Sequence, residues 1–157
     1  MTSTSCPTRS TWRSELPYTV VIALGSNLGD RAWVLRRAID ELRRVIDVVR
    51  VSSFIETKPV DAPPPDYLNA VVVGSTSLEP QPLLEKLLGI EQHLGRRRGL
   101  RNAPRVVDLD LIVHSAHRLH TPALTLPHPR FREREFVMAP LRELGWGWLS
   151  ASLPARR

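Results

Sequence analysis

With 157 residues, 42% of them hydrophobic and 24% charged, the chain is long enough to bury the core of one globular domain. It has no run of 18 apolar residues, which excludes a transmembrane helix, and its single cysteine, Cys6, excludes a disulfide framework and fits a reducing cytoplasm. A net charge of +6, carried mostly by arginine, favours anionic partners, either nucleic acid or phosphate-bearing small molecules.

Residues 1–16 are rich in Ser, Thr and Arg and lack an apolar stretch, so a disordered tail is expected there rather than a signal peptide. A single domain is expected over residues 17–150, with a polar tail at 151–157. Thr19 to Leu24 (TVVIAL) reads as a buried strand, and Gly25 to Asp30 breaks it with turn-forming residues. Asp30 is a candidate N-cap for an amphipathic helix from Arg31 to Asp47, with Leu35, Ala38, Ile39, Leu42 and Ile46 at helical spacing. Val48 to Glu56 returns to strand composition. Lys58 to Asp66 holds four prolines among nine residues and can be neither helix nor central strand. Tyr67 to Ser77 is a third strand, Glu79 to Leu94 a second helix, and Val106 to Val113 a fourth strand. Ser115 to Thr121 reads as a hairpin connection, Leu124 to Arg134 as irregular, and Phe136 to Leu144 as a final helix. The order βαββαβ predicts an α+β, ferredoxin-like sandwich: an antiparallel sheet with helices on one face.

The chemistry concentrates between Gly95 and Val113. Five arginines in eleven residues (Arg96, Arg97, Arg98, Arg101, Arg105) run into an apolar strand carrying Asp108 and Asp110. Side chains two apart on a strand share a face, so the two carboxylates lie together, roughly 6.5–7 Å apart along the chain, with Val107, Leu109, Leu111 and Val113 on the opposite face. Two such carboxylates need compensation, and Mg²⁺ is usually held by one or two carboxylates plus substrate phosphates. Guanidinium groups bind phosphate oxygens bidentately and stabilise charge that builds up in phosphoryl transfer. A solvated acidic pair beside a solvated basic loop is the alternative. The segment GSNLGDR lacks the spacing of a P-loop or a dinucleotide fingerprint, and a strand-to-helix turn accounts for it. Tyr67 and Asn69 share a strand face after the proline-rich segment. With Phe136 they offer stacking rings and an amide to a flat heteroaromatic ligand, although core packing is the commoner fate of a lone Phe. His128, between Pro127 and Pro129, suits either a phosphate contact or a structural role.

Taken together, six segments in order resemble one family, the 6-hydroxymethyl-7,8-dihydropterin pyrophosphokinases of folate biosynthesis. They are ALGSNLGDR (Ala23–Arg31), SSFIETKPV (Ser52–Val60), PDYLNAVV (Pro65–Val72), IEQHLGRRR (Ile90–Arg98), PRVVDLDLI (Pro104–Ile112) and LPHPRFREREFVMAPL (Leu126–Leu141). The resemblance implies transfer of the terminal pyrophosphoryl unit of ATP, as co-substrate, to the hydroxymethyl oxygen of 6-hydroxymethyl-7,8-dihydropterin, with release of AMP. It implies that Asp108 and Asp110 hold two Mg²⁺ ions, and that Arg96, Arg98 and Arg105 act with them in catalysis. It places Glu91, Arg98, Arg101, Arg105, Leu111, His128 and Arg134 at the ATP site, and Thr57, Lys58, Val60, Tyr67, Asn69 and Phe136 at the pterin site. A cytoplasmic monomer that binds neither nucleic acid nor membrane is expected. The chain departs from the family pattern at Asn102 and Ala103, where Trp and Gly are usual, at Lys58, where Pro is common, and at Pro129, where Tyr can occur. Two other readings stand beside this one. A ferredoxin-like RNA-binding module would use the basic charge, although no RNP1-like segment is present. A catalytically impaired ATP- or pterin-binding relative would follow from the altered loop.

Overall fold

The computed structural model describes residues 17–59, 64–95, 106–115 and 117–147. The expected tails at 1–16 and 151–157 lie outside them, as do the arginines from Arg96 to Arg105.

The continuous apolar run becomes β1 (Tyr18–Ser26), in which every residue but Thr19 is buried. It has antiparallel partners on both sides, β4 (Tyr67–Thr76) and β5 (Asp108–His114). β2 (Asp47–Val51) and β3 (Ile55–Thr57) both pair with β4, giving the order β2-β4-β1-β5 with β3 beside β4. The single strand expected over 48–56 is therefore interrupted. Around the break, Ser52 donates its N–H to the Val71 carbonyl, and its Oγ accepts from the Val71 N–H. These bonds keep β4 paired where the partner strand bends. β6 (Leu119–His120) and β7 (Thr125–Leu126) form a small separate hairpin, in the region read as a connection.

α1 (Arg31–Leu42) starts as expected, with the Asp30 carboxylate accepting from the Trp33 N–H. It ends at Leu42 rather than Asp47. Turns then bring Ile46 back to the same core, so the apolar spacing outlasts the helix. α2 (Pro80–His93) follows β4. Both pack on one face of the sheet, where Leu35, Ala38, Leu42, Leu83 and Leu87 meet Val20, Ile22, Leu24, Leu109 and Leu111. α3 (Glu135–Glu143) does not join them. It lies on the other face, where Val137, Met138 and Leu141, with Phe131 and Trp146, cover Val21, Ala23, Val71 and Val73. Helices on both faces replace the expected single layer, because strands β1 and β4 are apolar on both sides and both must be covered.

β5 also departs from the expected alternation. Its pairing with β1 shifts between Val21 and Ile22, so Val21 faces Val113 and Ile22 faces Leu111. The extra residue, Ile112, is a bulge that reverses the alternation beyond it. Val107, Leu109 and Leu111 face α1 and α2 as expected, whereas Val113 turns to the α3 side. The bulge falls after the aspartates, so their shared face is kept.

Where β2 meets β4, Gly74 is closed in. A Cβ built there would lie 2.7 Å from the Asp47 carbonyl oxygen and 2.9 Å from Ile46 Cδ1. Backbone cannot give way as a side-chain tip can, so Gly74→Ala is expected to destabilise the fold by about 1–3 kcal/mol. A urea midpoint equal to that of the wild type would show that the edge strand yields freely.

Candidate active site

β1 ends at Ser26, and the same end of the sheet gathers the start of β4, the start of β5, the end of β3 and the C-terminus of α2. α3 covers the middle of its face and presents Phe136 from its first turn. Beyond that cover, the face carries polar groups in place of apolar ones.

Gly25 lies at the centre of this patch. Its Cα partners are Asn69 on β4 and Asp108 on β5, and the next residue inward on the face, Ala23, pairs with Asp110. With strands about 4.8 Å apart, Asn69 and Asp108 stand roughly 10 Å from each other across the glycine. A Cβ at position 25 would meet Asn69 Oδ1 at 3.0 Å and Tyr67 Cδ1 at 3.3 Å, so the missing side chain lets both lie close over the strand. Asn69 is 4% exposed, and its Nδ2 donates to Thr57 Oγ1. Thr57 is in turn the Cα partner of Tyr67. Thr57, Tyr67 and Asn69 therefore form one wall. Lys58, just past it, is exposed.

Asp108 and Asp110 are half-buried and share this face. β5 is an edge strand, so its outer backbone groups need partners from elsewhere. Two of the expected site residues supply them. The carboxylate of Glu91, only 2% exposed, accepts from the Leu109 N–H at 2.9 Å, between the two aspartates. The His128 N–H donates to the Ile112 carbonyl at 2.8 Å. The side chain of Leu111 lies in the core on the α1 and α2 side, away from the aspartates, so only its backbone is left for a ligand. The Arg134 guanidinium stands 5.5 Å from the Phe136 ring centroid. Val60, Arg96, Arg98, Arg101 and Arg105 lie outside the described residues, although Gly95 and Val106 flank the arginine segment at this end of the sheet.

The carboxylate pair and the wall thus sit on one face, on either side of Gly25. Among the described residues no group of three or more His, Cys, Asp or Glu is placed to hold a metal by itself. Two carboxylates fit a hard divalent cation that takes its remaining ligands from substrate phosphates and water. A model of the 7,8-dihydro-6-hydroxymethylpterin-pyrophosphokinase (HPPK) family matches residues 21–145, which takes in this whole constellation. The chain belongs to the HPPK family.

Two HPPK relatives are similar over most of their length. The chain is 45% identical over 126 residues to the 2-amino-4-hydroxy-6-hydroxymethyldihydropteridine pyrophosphokinase of Bacillus subtilis strain 168, covering 78% of this chain and 75% of that one. It is 42% identical over 131 residues to the enzyme of the same name from Synechocystis, covering 82% and 67%. Among solved structures, an HPPK-DHPS crystallised in complex with substrates shares the fold, with a TM-score of 0.60 and 14% sequence identity. That alignment covers 79% of this chain and 39% of the larger one.

Three residues at this end of the sheet were not singled out from the HPPK-like sequence. Gly25, Asn27 and Arg31 all belong to GSNLGDR, which reads as a plain turn. A glycine inside a strand pattern is the signal that marks Gly25 as a point of close approach. Asn27 reaches the Pro65 carbonyl, and Arg31 reaches the Asp66 carbonyl and the Glu56 carboxylate, all distant in sequence, and no local pattern reports these contacts.

His128 is pushed down to about 4, first by burial and then by the nearby charge of Arg134, and its Nδ1 has no hydrogen-bond partner among the described residues. The unfolded chain, at about 6.5, binds this proton more readily than the folded one, so stability rises from pH 4 to 6.5 and is indifferent to this group above that. The buried His114, also lowered by desolvation, adds a slope of the same sign. His128→Gln is expected to flatten the acid limb of a Tm-against-pH curve in part, leaving the share of His114. An unchanged limb would mean that His128 is already charged in the fold.

Proposed function

We propose that the chain is a Mg²⁺-dependent pyrophosphokinase of folate biosynthesis. It transfers the terminal pyrophosphoryl unit of ATP to 6-hydroxymethyl-7,8-dihydropterin and releases AMP. The observation that carries this reading is the placement of the Asp108/Asp110 pair and the Thr57–Tyr67–Asn69 wall on one sheet face, separated by a side-chain-free Gly25. The names carried by the relatives from Bacillus subtilis and Synechocystis agree with it. The strand order supports a ferredoxin-like sheet, with β2 and β3 as two halves of one interrupted strand. No helix among the described residues is long and apolar enough to cross a membrane. We take residues 17–150 as one pyrophosphokinase domain, acting as a cytoplasmic monomer that binds no nucleic acid.

In this reaction the hydroxymethyl oxygen attacks the β-phosphorus of ATP. The new O–P bond forms as the bridge to the α-phosphate breaks, AMP leaves, and the hydroxyl proton is lost. Two Mg²⁺ ions held by Asp108 and Asp110 would screen the phosphate charge and align donor with acceptor. The protein's own share is positional. Asn69 would read the donor and acceptor edge of the pterin, with its amide orientation set by Thr57. Tyr67 and Phe136 would stack on the ring. Glu91 and His128 would hold β5 so that its carboxylates keep their spacing, and Arg134 would add positive charge beside Phe136. Arg96, Arg98, Arg101 and Arg105 would neutralise the phosphates.

Purified protein is expected to form AMP from ATP only when both Mg²⁺ and the hydroxymethylpterin are present, and chelation with EDTA should stop it. Asp110→Ala should lower kcat on the order of a thousandfold, since a charge-stabilising group at the reacting phosphates is lost. A near-normal rate in that variant would end the metal-ligand role. Binding of ATP and pterin by calorimetry without AMP release would identify an impaired relative instead. Strongly salt-dependent binding to single-stranded RNA without turnover would favour the nucleic-acid module.

A further inference from the structure

The connection between β3 and β4, residues 58–66, opens at a neck formed by Glu56 and Thr57 on one side and Asp66 and Tyr67 on the other. Thr57 and Tyr67 are the last Cα partners before it, and both belong to the wall described above. One side chain from another element spans that neck. Arg31, the first residue of α1, donates from Nη1 to the Asp66 carbonyl at 3.0 Å, and its Nη2 lies 2.9 Å from Glu56 Oε1. Its neighbour in the same turn, Asn27, is 2% exposed and donates from Nδ2 to the Pro65 carbonyl at 3.3 Å. The Asp30 cap, adjacent in sequence, fixes where α1 begins and so where the Arg31 side chain starts.

Alternation along the strands decides which way these groups act. Glu56 and Leu68 are Cα partners, and Leu68 packs against the core beneath α1 and α2. Thr57, Tyr67 and Asn69 point to the other face. The Arg31 contacts therefore lie behind the wall, and its guanidinium would touch no ligand bound in front of it. We infer that Arg31 is a positioning residue for the acceptor pocket: its planar fork ties Glu56 to Asp66 across the neck and so sets the spacing of Thr57 and Tyr67, with Asn27 holding the adjoining Pro65 carbonyl. This rests on the reading of Thr57, Tyr67 and Asn69 as the pterin wall. Arginine suits the task because its two terminal nitrogens reach two acceptors at a fixed angle, which a lysine ammonium does not reproduce. Both ends of the neck are partly open to water, with Arg31 28% and Glu56 59% exposed at the side chain, so the clamp adds little to global stability. Its effect falls on the local geometry of the wall.

The test compares Arg31→Met, which keeps the aliphatic stem, with Arg31→Lys and the wild type. The KM for the hydroxymethylpterin is expected to rise about tenfold in Arg31→Met, the loss of a charge-assisted contact moderated by exposure. kcat and the KM for ATP should stay within about twofold, and Tm should hardly move. A fluorescence titration with 6-hydroxymethylpterin and a non-hydrolysable ATP analogue should show the same loss without any turnover. Arg31→Lys should recover part of that affinity through the Asp66 carbonyl. A pterin affinity in Arg31→Met equal to the wild type overturns the inference. So does an equal rise in both KM values with a lower Tm, which would mark a general structural role. If the wild type itself neither binds the pterin nor makes AMP, the functional reading fails first and the inference falls with it.

Discussion

The candidate site depends on one register. β1 pairs on both sides, and that pairing places Gly25 between Asn69 and Asp108. Shifting either neighbour by one residue would turn its polar group to the opposite face, into the core under α1 and α2. The apolar residues of the neighbours are what forbid the slip, because Val71 and Val73 of β4 would then exchange faces with Val72, and Leu109 and Leu111 of β5 would leave the core under α1 and α2. The spacing between the carboxylates and the wall is therefore a property of the core rather than of the loops. The glycine matters for the same reason: at the centre of a two-sided sheet, only the absence of a side chain leaves Asn69 and Tyr67 their present approach.

The aspartates sit on an edge strand, which is the least constrained place in a sheet, and the fold compensates by tethering that edge. Glu91 reaches from α2 to the backbone between the aspartates, and His128 takes the carbonyl of the bulge residue Ile112. At the far end of β5, buried His114 uses Nε2 against the Leu78 carbonyl, just before α2 begins. α2 is thus fastened along β5 from both of its ends. A carbonyl only accepts, so His114 carries its proton on Nε2 and leaves Nδ1 to face His117 at 3.1 Å. His117 Nδ1 donates to the His114 carbonyl at 3.0 Å, so protonating His114 on Nδ1 would set two N–H groups against each other, which agrees with the lowering that burial imposes on it.

Much of this was legible in the sequence where a local pattern and the global fold coincide. Asp30 caps the first helix, and Asp108 and Asp110 share a face because plain alternation holds up to Ile112. The misses have particular causes. The bulge at Ile112 adds a residue that no composition marks, so Val113 faces the unexpected side. Ile46 completes the helical spacing of α1 although the helix has ended, because a turn can return a side chain to the same core. The break at Ser52 to Phe54 lies inside strand-like composition and depends on hydrogen bonds with Val71. TVVIAL did carry the sign of a strand buried on both faces, and a helix on each side follows from it. Asn27 and Arg31 resisted reading altogether, because the Pro65 and Asp66 carbonyls and the Glu56 carboxylate that they reach are distant in sequence.

Pyrophosphoryl transfer asks little covalent chemistry of a protein, so residues that never touch a substrate can still govern the rate through alignment. Under the proposed function, such alignment would come from two sets of contacts in this fold. Glu91 and His128 bond to the backbone of β5, which carries the carboxylates, and Arg31 and Asn27 bond across the β3–β4 neck on the proposed acceptor side. The sets share no residue and attach to opposite edges of the site, with β1 standing rigid between them. Disturbing one should move the affinity for one substrate and spare the other, since the central strand, buried on both faces, transmits little of a local shift. That separation is what makes a split between the two KM values informative about which edge a residue serves.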